Sequence, residues 1–397
     1  MSKVKSCLQT SDATVISCFI GYIVQAIVNN FLPLLFLTIQ SEYDIPLQKI
    51  TFLITFNFGF QMVIDIVSPS FVDKIGYRSS LIIAHATSAL GLILLPILPE
   101  VMSSPYAGVM ISVLIYAVGG GLLEVLVSPE MEACPTKNKE TAMSMLHSFY
   151  CWGHVGVVLI STLFFTVFGI ENWKILSFIW ALIPLANMIL FTQVPVYNLL
   201  AEGEKGLSIK DLAGNKVFWL LMVMMMCAGA SEQSVSQWAS TFAEAGLHVS
   251  KTMGDLFGPM FFAITMGISR AIYGKFGEKI DLKKYMTFSA LLCVAAYLGT
   301  SLSHNPVLGL LGCGICGFSV GIMWPGTFSM GAAGIKGGGT MMFALFALAG
   351  DIGCSGGPTF VGIMSSVFND DLKKGILFGT VFPILMLVGI RMNNRKQ

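Results

Sequence analysis

Apolar runs of about twenty residues recur along the whole chain, and short polar segments separate them. A helix needs about 20 mostly apolar residues to cross the hydrocarbon core of a bilayer. We therefore predict twelve transmembrane helices, at roughly 13–39, 48–71, 79–98, 106–129, 141–168, 173–193, 217–242, 252–274, 285–302, 306–328, 339–367 and 373–391. The first run is longer than the apolar region of a signal peptide, and no small-residue cleavage site follows it, so we expect it to stay as a membrane helix.

The composition supports this interpretation, because 55% of the residues are hydrophobic and only 11% are charged. A soluble domain carries about 25% charged residues. The net charge of +1 gives no electrostatic reason to expect a nucleic-acid partner. Most of the nine cysteines lie in apolar runs, where thiols behave as small hydrophobic groups. The CxxC pair of Cys313 and Cys316 has no nearby ligand residues, so we expect no metal there.

The distribution of Lys and Arg predicts the orientation in the membrane. If the N-terminus is inside, the inner segments carry about seventeen of these residues and the outer segments about five, which is the asymmetry of the positive-inside rule. We therefore predict a multi-pass protein of the plasma or inner membrane with both termini in the cytoplasm.

The two halves of the chain resemble each other. DKIGYR joins the second and third spans, and GKFGEK joins the eighth and ninth. We predict an N-terminal six-helix bundle over 1–196, a cytoplasmic linker over 197–216 and a C-terminal six-helix bundle over 217–397. Duplicated six-helix halves around a central path are typical of secondary carriers.

The loop Asp73–Arg78 is similar to the signature between the second and third helices of the major facilitator superfamily, although Pro69 replaces its leading glycine. Three segments resemble the fucose permease-like branch of that superfamily: GLLEVLVSP in the fourth span, LHSFYCWGHVG in the fifth and GASEQSVSQWASTF in the seventh. The resemblance implies uptake of a hexose coupled to a cation, most often a proton, with spans one, four, seven and ten lining the path. The first-helix carboxylate of that branch is replaced here by Asn29-Asn30.

Ionisable groups inside a membrane helix are costly and rare, so each is a functional candidate. We predict that Glu124, Glu232 and Asp351 take part in proton coupling. The predicted solute-binding residues combine amide, hydroxyl, imidazole and indole groups on shared helix faces, a set that suits sugar hydroxyls. They are Tyr22, Gln25, Asn29, Glu124, His147, Tyr150, His154, Glu232, Gln233, Gln237, Trp238 and Trp324. Ordinary hydrogen bonding or packing between helices is the alternative role for each of them.

The charged loop after the second span suggests a gate. We predict that its charges form ion pairs that hold one face of the carrier closed; the alternative is a solvated turn that only sets topology. The gating residues are Asp65, Asp73, Lys74, Gly76 and Arg78.

We conclude that the sequence predicts an all-α membrane protein with the major facilitator fold, a carrier of a small polar solute, a monosaccharide, by proton symport. Sodium is the alternative coupling ion, and an exporter or exchanger of amphipathic compounds or a uniporter is the alternative carrier. No HExxH spacing suggests zinc, and no P-loop motif suggests ATP-driven transport. An integral-membrane enzyme or receptor would need a clustered catalytic constellation or a soluble domain, and the sequence shows neither, so we expect no enzyme activity, no cofactor and no metal. The expected partners are the solute and the lipid bilayer, with no obligatory protein.

Overall fold

The computed structural model describes residues 8–199, 206–239, 256–303, 305–369 and 371–394, and within these ranges it is helical, with no β-strand. Ten of its helices are long and apolar enough to cross a membrane. Helix α2 (Leu47–Ile75) and helix α8 (Phe261–Phe276) are not among the ten. The described part of α8 has 16 residues, and α2 contains a row of buried polar side chains. The predicted all-helical membrane fold is confirmed.

The first six predicted spans correspond to six long helices. Their bounds are α1 Ser11–Asn30, α2 Leu47–Ile75, α3 Tyr77–Leu94, α4 Pro105–Ala133, α5 Lys139–Phe168 and α6 Trp173–Phe191. Helix α1 continues through a 3₁₀ turn, Leu32–Leu35, into a further helix, Phe36–Tyr43, and Pro33 stands in that turn. A short helix, Leu98–Val101, precedes α4, and a 3₁₀ turn, Ile170–Asn172, precedes α6.

The second half follows a short helix, Ile209–Ala213, and contains more interrupted helices than the first. The bounds are α7 Lys216–Ser236, α8 Phe261–Phe276 after a π-helical turn at Leu256–Met260, α9 Leu282–Leu302, α10 Pro306–Val320 with its continuation Met323–Gly334, α11 Gly339–Val367, and α12 Leu372–Gly379 with its continuation Val381–Asn394. The predicted spans 306–328 and 373–391 are therefore each divided in two.

Side-chain caps fix where several helices begin. Asp281, Asn305 and Asp371 each place a carboxylate or amide oxygen 2.8–3.0 Å from a backbone N–H of the following first turn. Such oxygens satisfy N–H groups that have no partner inside the helix. Pro105 and Pro306 occupy the first helical position, where a proline loses no hydrogen bond.

The contacts divide the chain into two compact units. The first unit is Met1–Thr136 with Trp152–Glu204, and the second is Lys137–Cys151 with Lys205–Gln397. The beginning of α5 is therefore grouped with the second unit and the rest of α5 with the first. The predicted domain boundaries at residues 196 and 217 stay a prediction.

The first unit is built around a continuous apolar core. Its fully buried members include Ile27, Phe31 and Leu35 of the first helical segment, together with Trp173 of α6. Large apolar side chains also cover the outside of the same unit; in α5, Leu163 is 64% exposed. An exposed apolar surface of this kind suits contact with lipid.

Glycines allow the closest helix contacts. A Cβ atom on Gly120 of α4 would lie 3.1–3.3 Å from the amide group of Gln61 on α2. In the second unit, a Cβ atom on Gly229 of α7 would collide with the backbone oxygen of Gly350 on α11. Small residues at helix interfaces let backbones approach closely in membrane proteins, so the contact at Gly229 requires glycine, and the one at Gly120 is tight.

Candidate functional site

Helices α1 and α4 share a polar seam inside the first unit. The amide Nε2 of Gln25 donates to Oε2 of Glu124 over 2.9 Å, and the hydroxyl groups of Tyr22 and Ser128 are 2.7 Å apart. The spacing of three residues on α1 and four on α4 places both pairs on facing helix surfaces. Gln25 is buried, whereas Glu124 is partly exposed. The structure therefore brings two predicted site residues of α1, Tyr22 and Gln25, against the face of α4 that carries Glu124.

A second polar cluster connects α1 with α2. The carbonyl oxygen Oδ1 of Asn29 accepts hydrogen bonds from Nδ2 of Asn57 at 3.1 Å and from Nε2 of Gln61 at 2.8 Å. All three side chains are buried. Asn57 and Gln61 were not predicted as site residues from the sequence. Two amides four residues apart in an apolar run share one helix face, and this pattern could have identified them.

The second unit contains a buried ion pair. Nη2 of Arg270 on α8 lies 3.2 Å from Oε2 of Glu232 on α7, and the two side chains are 4% and 13% exposed. The guanidinium group also donates from Nε to the carbonyl oxygen of Gly321 at 2.9 Å, and from Nη1 to the carbonyl oxygen of His147 at 3.2 Å and to Sγ of Cys151 at 3.1 Å. The guanidinium therefore connects four helical segments of this unit.

Arg270 is the important residue that is missing from the site residues predicted from the sequence. Among the residues whose burial the structure describes, it is the one buried lysine or arginine. The sequence could have identified Arg270 as a candidate, since it is a charged residue inside the predicted span 252–274. Burying an arginine is costly unless it is paired, and the pair with Glu232 meets that condition.

His147 packs among aromatic rings in the second unit. Its imidazole stacks on Phe328, with ring centroids 5.8 Å apart, and Phe328 in turn stacks on Phe343 at 5.3 Å. Tyr150 is partly exposed in the same stretch of α5. The indole of Trp324 lies edge-on to Phe328 and directly against Gly350. Aromatic packing therefore holds two of the predicted solute-binding side chains.

The remaining predicted residues of α7 lie around the end of that helix, which is Ser236 rather than residue 242 as predicted from the sequence. Gln233 is partly exposed within α7, while Gln237 and Trp238 follow its end, and Gln237 is exposed. Nε1 of Trp238 donates to the carbonyl oxygen of Pro358 over 3.0 Å. The predicted span 217–242 is therefore interrupted after Ser236, and residues 240–255 lie outside the described part of the chain.

Two further predicted residues occupy separate positions. Asp351 is partly exposed on α11, next to Gly350. His154 is partly exposed on the part of α5 that belongs to the first unit. Their predicted roles in coupling and binding stay predictions.

The predicted gating loop adopts a defined turn between α2 and α3. Gly76 has a φ of +83°, which favours glycine, and Nη1 of Arg78 donates to the carbonyl oxygen of Phe191 over 2.6 Å. Asp65 is buried within α2 and Lys74 is exposed. Asp73 lies in the last turn of α2, and its side chain is outside the described part. Arg78 thus ties the start of α3 to the end of α6.

Glu130, near the end of α4, is a second buried ionisable residue that the sequence interpretation did not use. It is fully buried, and its Oε1 accepts a hydrogen bond from the backbone N–H of Tyr197 over 2.8 Å. This contact fixes the segment that follows α6 against α4. An acidic residue at the end of a long apolar run is the sequence pattern that could have identified Glu130 as a candidate.

The family model described as "Major Facilitator Superfamily" matches residues 15–358. The chain belongs to the major facilitator superfamily. Solved structures support the same fold: this superfamily member matches the E. coli fucose:proton symporter FucP, with a TM-score of 0.79, 17% identity and coverage of 96% of this chain and 98% of that one. The proton:xylose symporter XylE matches with a TM-score of 0.80, 10% identity and coverage of 95% and 94%.

A third solved structure, the human organic anion transporter MFSD10, matches with a TM-score of 0.72, 13% identity and coverage of 96% of this chain and 99% of that one. No curated protein matches the sequence significantly. At these identities the similarity shows the fold, and the family shows a multi-pass membrane transporter rather than an enzyme.

Proposed function

We propose that this superfamily member is a secondary active transporter that moves a small polar solute, a monosaccharide, together with a proton by alternating access. The observation that carries the proposal is the hydrogen bond between Gln25 and Glu124. A partly exposed carboxylate held by an amide, beside the Tyr22–Ser128 hydroxyl pair, offers acceptors and donors to sugar hydroxyls and one group that can exchange a proton.

The similar folds of FucP and XylE, whose names describe them as fucose:proton and proton:xylose symporters, support the same solute class and coupling ion. We place the protein in the plasma or inner membrane with both termini in the cytoplasm, as the distribution of Lys and Arg predicts. Charges around Asp65, Lys74 and Arg78 would then act as a gate on the cytoplasmic face.

The test is uptake of labelled sugars into proteoliposomes with and without an inward proton gradient. One proton per sugar predicts about tenfold accumulation for each unit of pH gradient at zero membrane potential. Glu124→Gln keeps the shape of the side chain but carries no exchangeable carboxyl proton. It should abolish gradient-driven accumulation while sugar counterflow continues.

The matched control is Glu171→Gln, the same substitution at an exposed position just before α6, and it should transport as the native protein does. Normal accumulation in Glu124→Gln would contradict coupling through this carboxylate. If no sugar on the panel enters under either condition, the monosaccharide proposal fails.

One observation favours a second candidate function. Arg270 is a buried guanidinium whose position is fixed by three acceptors other than Glu232. A solute carboxylate could replace Glu232 as its counter-ion, which would make the substrate a sugar acid or another organic anion; MFSD10, named as an organic anion transporter, has a similar fold. Adding hexuronates to the panel tests this candidate, because uptake of acids but not of neutral sugars would favour it.

A further inference from the structure

Three buried amide side chains meet inside the first unit. Oδ1 of Asn29 on α1 accepts a hydrogen bond from Nδ2 of Asn57 at 3.1 Å and another from Nε2 of Gln61 at 2.8 Å. Both donors come from α2, where a spacing of four residues places them on one helix face. Asn29 is 9% exposed, whereas Asn57 and Gln61 are 5% and 1% exposed. The two hydrogen bonds therefore determine how the amide group of Asn29 is turned.

The opposite orientation of the three amides is less favourable. The nitrogen and oxygen of an amide have nearly the same shape, so the hydrogen-bond network decides between them. Reversal of all three groups would keep both contacts, but it would place two NH₂ groups where Oδ1 of Asn57 and Oε1 of Gln61 now lie. Within the described residues these two positions are buried and have no hydrogen-bond partner. A buried N–H without an acceptor is rarer in proteins than a buried carbonyl oxygen without a donor, so Asn29 is the acceptor of this cluster.

The NH₂ group of Asn29 lies on the other branch of its amide, away from the two donors of α2. Within the described residues, Nδ2 of Asn29 donates to no acceptor, and it does not belong to their buried unpaired side-chain atoms. The neighbouring amide of Asn30 differs, because its Nδ2 donates to the backbone oxygen of Ala26 over 2.8 Å. Asn29 therefore offers its N–H donors, and not its occupied oxygen, to a bound molecule.

The polar face of α1 has a different hydrogen-bonding character at its two ends. Asn29 follows Gln25 by four residues on the same face, a rise of about 6 Å. Gln25 donates from Nε2 to Oε2 of Glu124 over 2.9 Å. An ionised carboxylate only accepts hydrogen bonds, whereas an NH₂ group only donates them. A sugar hydroxyl can therefore bind at either end, but a ring or ether oxygen can bind only at Asn29.

We propose that Asn29 is a specificity-determining residue that donates to an acceptor oxygen of the solute, and that Asn57 and Gln61 are positioning residues that hold its amide in this orientation. The proposal rests on the proposed sugar transport and deepens it, because it assigns one solute oxygen the role of an acceptor. Helix α4 supports Gln61 from the other side, since a Cβ atom on Gly120 would lie only 3.1–3.3 Å from its amide. The selectivity of the carrier then depends on α2 as well as on the helices expected to line the path.

The first experiment tests the orientation of Asn29 without any sugar. The full-length protein is labelled with ¹⁵N-asparagine, and NMR follows the exchange of the side-chain NH₂ groups with D₂O. The NH₂ group of Asn29 should exchange at least about tenfold faster than that of Asn57, which is buried and hydrogen-bonded. The protected reference is Asn187, which is fully buried and donates to the backbone oxygen of Ser17 over 2.9 Å. The signal of Asn29 is the one lost in Asn29→Asp. Exchange of Asn29 as slow as that of Asn187 would show the reversed orientation and overturn the proposal.

The second experiment measures how analogues of the transported sugar compete in counterflow. A deoxy analogue lacks one oxygen, whereas an O-methyl analogue keeps that oxygen as an acceptor but loses its O–H donor; a carba-sugar tests the ring oxygen. At the oxygen bound by Asn29, the analogue without the oxygen should compete about tenfold more weakly than the parent sugar, and an O-methyl analogue should compete better than the deoxy one. Asn29→Asp replaces the donor by an acceptor and should remove this preference. If no oxygen shows the pattern, or if Asn29→Asp leaves it unchanged, Asn29 is not the donor.

Variants of α2 then test the positioning role. Asn57→Leu and Gln61→Leu remove the donors but keep much of the side-chain volume. Each should raise the half-saturating sugar concentration and weaken the discrimination against the analogue without the oxygen, while the maximal counterflow rate is unchanged. A merely structural role would lower the maximal rate and leave the discrimination as it is, and that result in both variants would refute the positioning role.

The matched control is Asn30→Asp, the same substitution at the neighbouring amide, and its analogue pattern should equal that of the native protein. If the leucine variants do not fold, the exchange experiment on the native protein and the analogue pattern of Asn29→Asp decide the question. If no sugar competes at all, the proposed transport function fails, while the exchange experiment still decides the orientation of Asn29.

Discussion

The ion pair between Arg270 and Glu232 offers the sharpest test of the structure. Removing one member of a buried pair leaves an uncompensated charge and costs about 3–5 kcal/mol. Arg270→Met also removes the donors to Gly321, His147 and Cys151, so it should reach the upper part of that range. Glu232→Gln keeps the side-chain shape, and three neutral acceptors continue to hold Arg270, so we expect about 2–3 kcal/mol.

The double variant distinguishes an ion pair from two independent contacts. Once one charge has been removed, removing the other should lower the free energy of unfolding by less than it does in the native protein. The coupling free energy of the double-mutant cycle should be about 2 kcal/mol. The assay is unfolding of the purified protein, followed by tryptophan fluorescence at a fixed detergent concentration. Simple additivity of the two single-variant effects would refute the conclusion that the charges neutralise each other.

The remaining predictions concern a packing contact and a surface cluster. Gly350→Ala should lower the unfolding midpoint, because its Cβ atom would overlap the indole of Trp324; an unchanged midpoint would show that the indole can move aside. Lys174 lies 2.6 Å from both Glu42 and Glu100, and Lys174→Met should cost about 1 kcal/mol or less because these side chains are a third to a half exposed. Hydrogen bonds, the one from Lys174 first, hold the pKa of Glu100 below its ordinary value. The stabilisation is therefore present at neutral pH and lost as the pH falls through that pKa, so native and variant midpoints should converge in acid once Glu100 is protonated; a difference that stays constant as the pH falls would contradict this.

Helix positions could be predicted closely from the sequence because a membrane helix is defined by its apolar length. The predicted spans 106–129, 173–193 and 339–367 correspond to Pro105–Ala133, Trp173–Phe191 and Gly339–Val367. The sequence did not predict the interruptions of a helix where the apolar run continues across the interruption. Ile322, between the two parts of α10, is an example, because hydropathy does not register a change in backbone geometry there.

Polar partners were predicted less completely because they depend on how helices rotate against one another. Glu124, Gln25 and Tyr22 were predicted as candidates from residue type, and the structure adds that α1 and α4 turn these groups toward each other. The convergence of Asn57 and Gln61 on Asn29 requires α2 to approach both α1 and the glycine surface of α4. That approach comes from packing between distant segments, which periodicity in one segment does not encode.

The carboxylates of the two units are held in different ways. In the second unit, Arg270 supplies the counter-charge of Glu232 directly. In the first unit, the partly exposed Glu124 accepts a hydrogen bond from the amide of Gln25. Protonation of Glu232 would remove the counter-charge of a buried arginine, which is costly. We therefore place the proposed proton exchange at Glu124 rather than at Glu232.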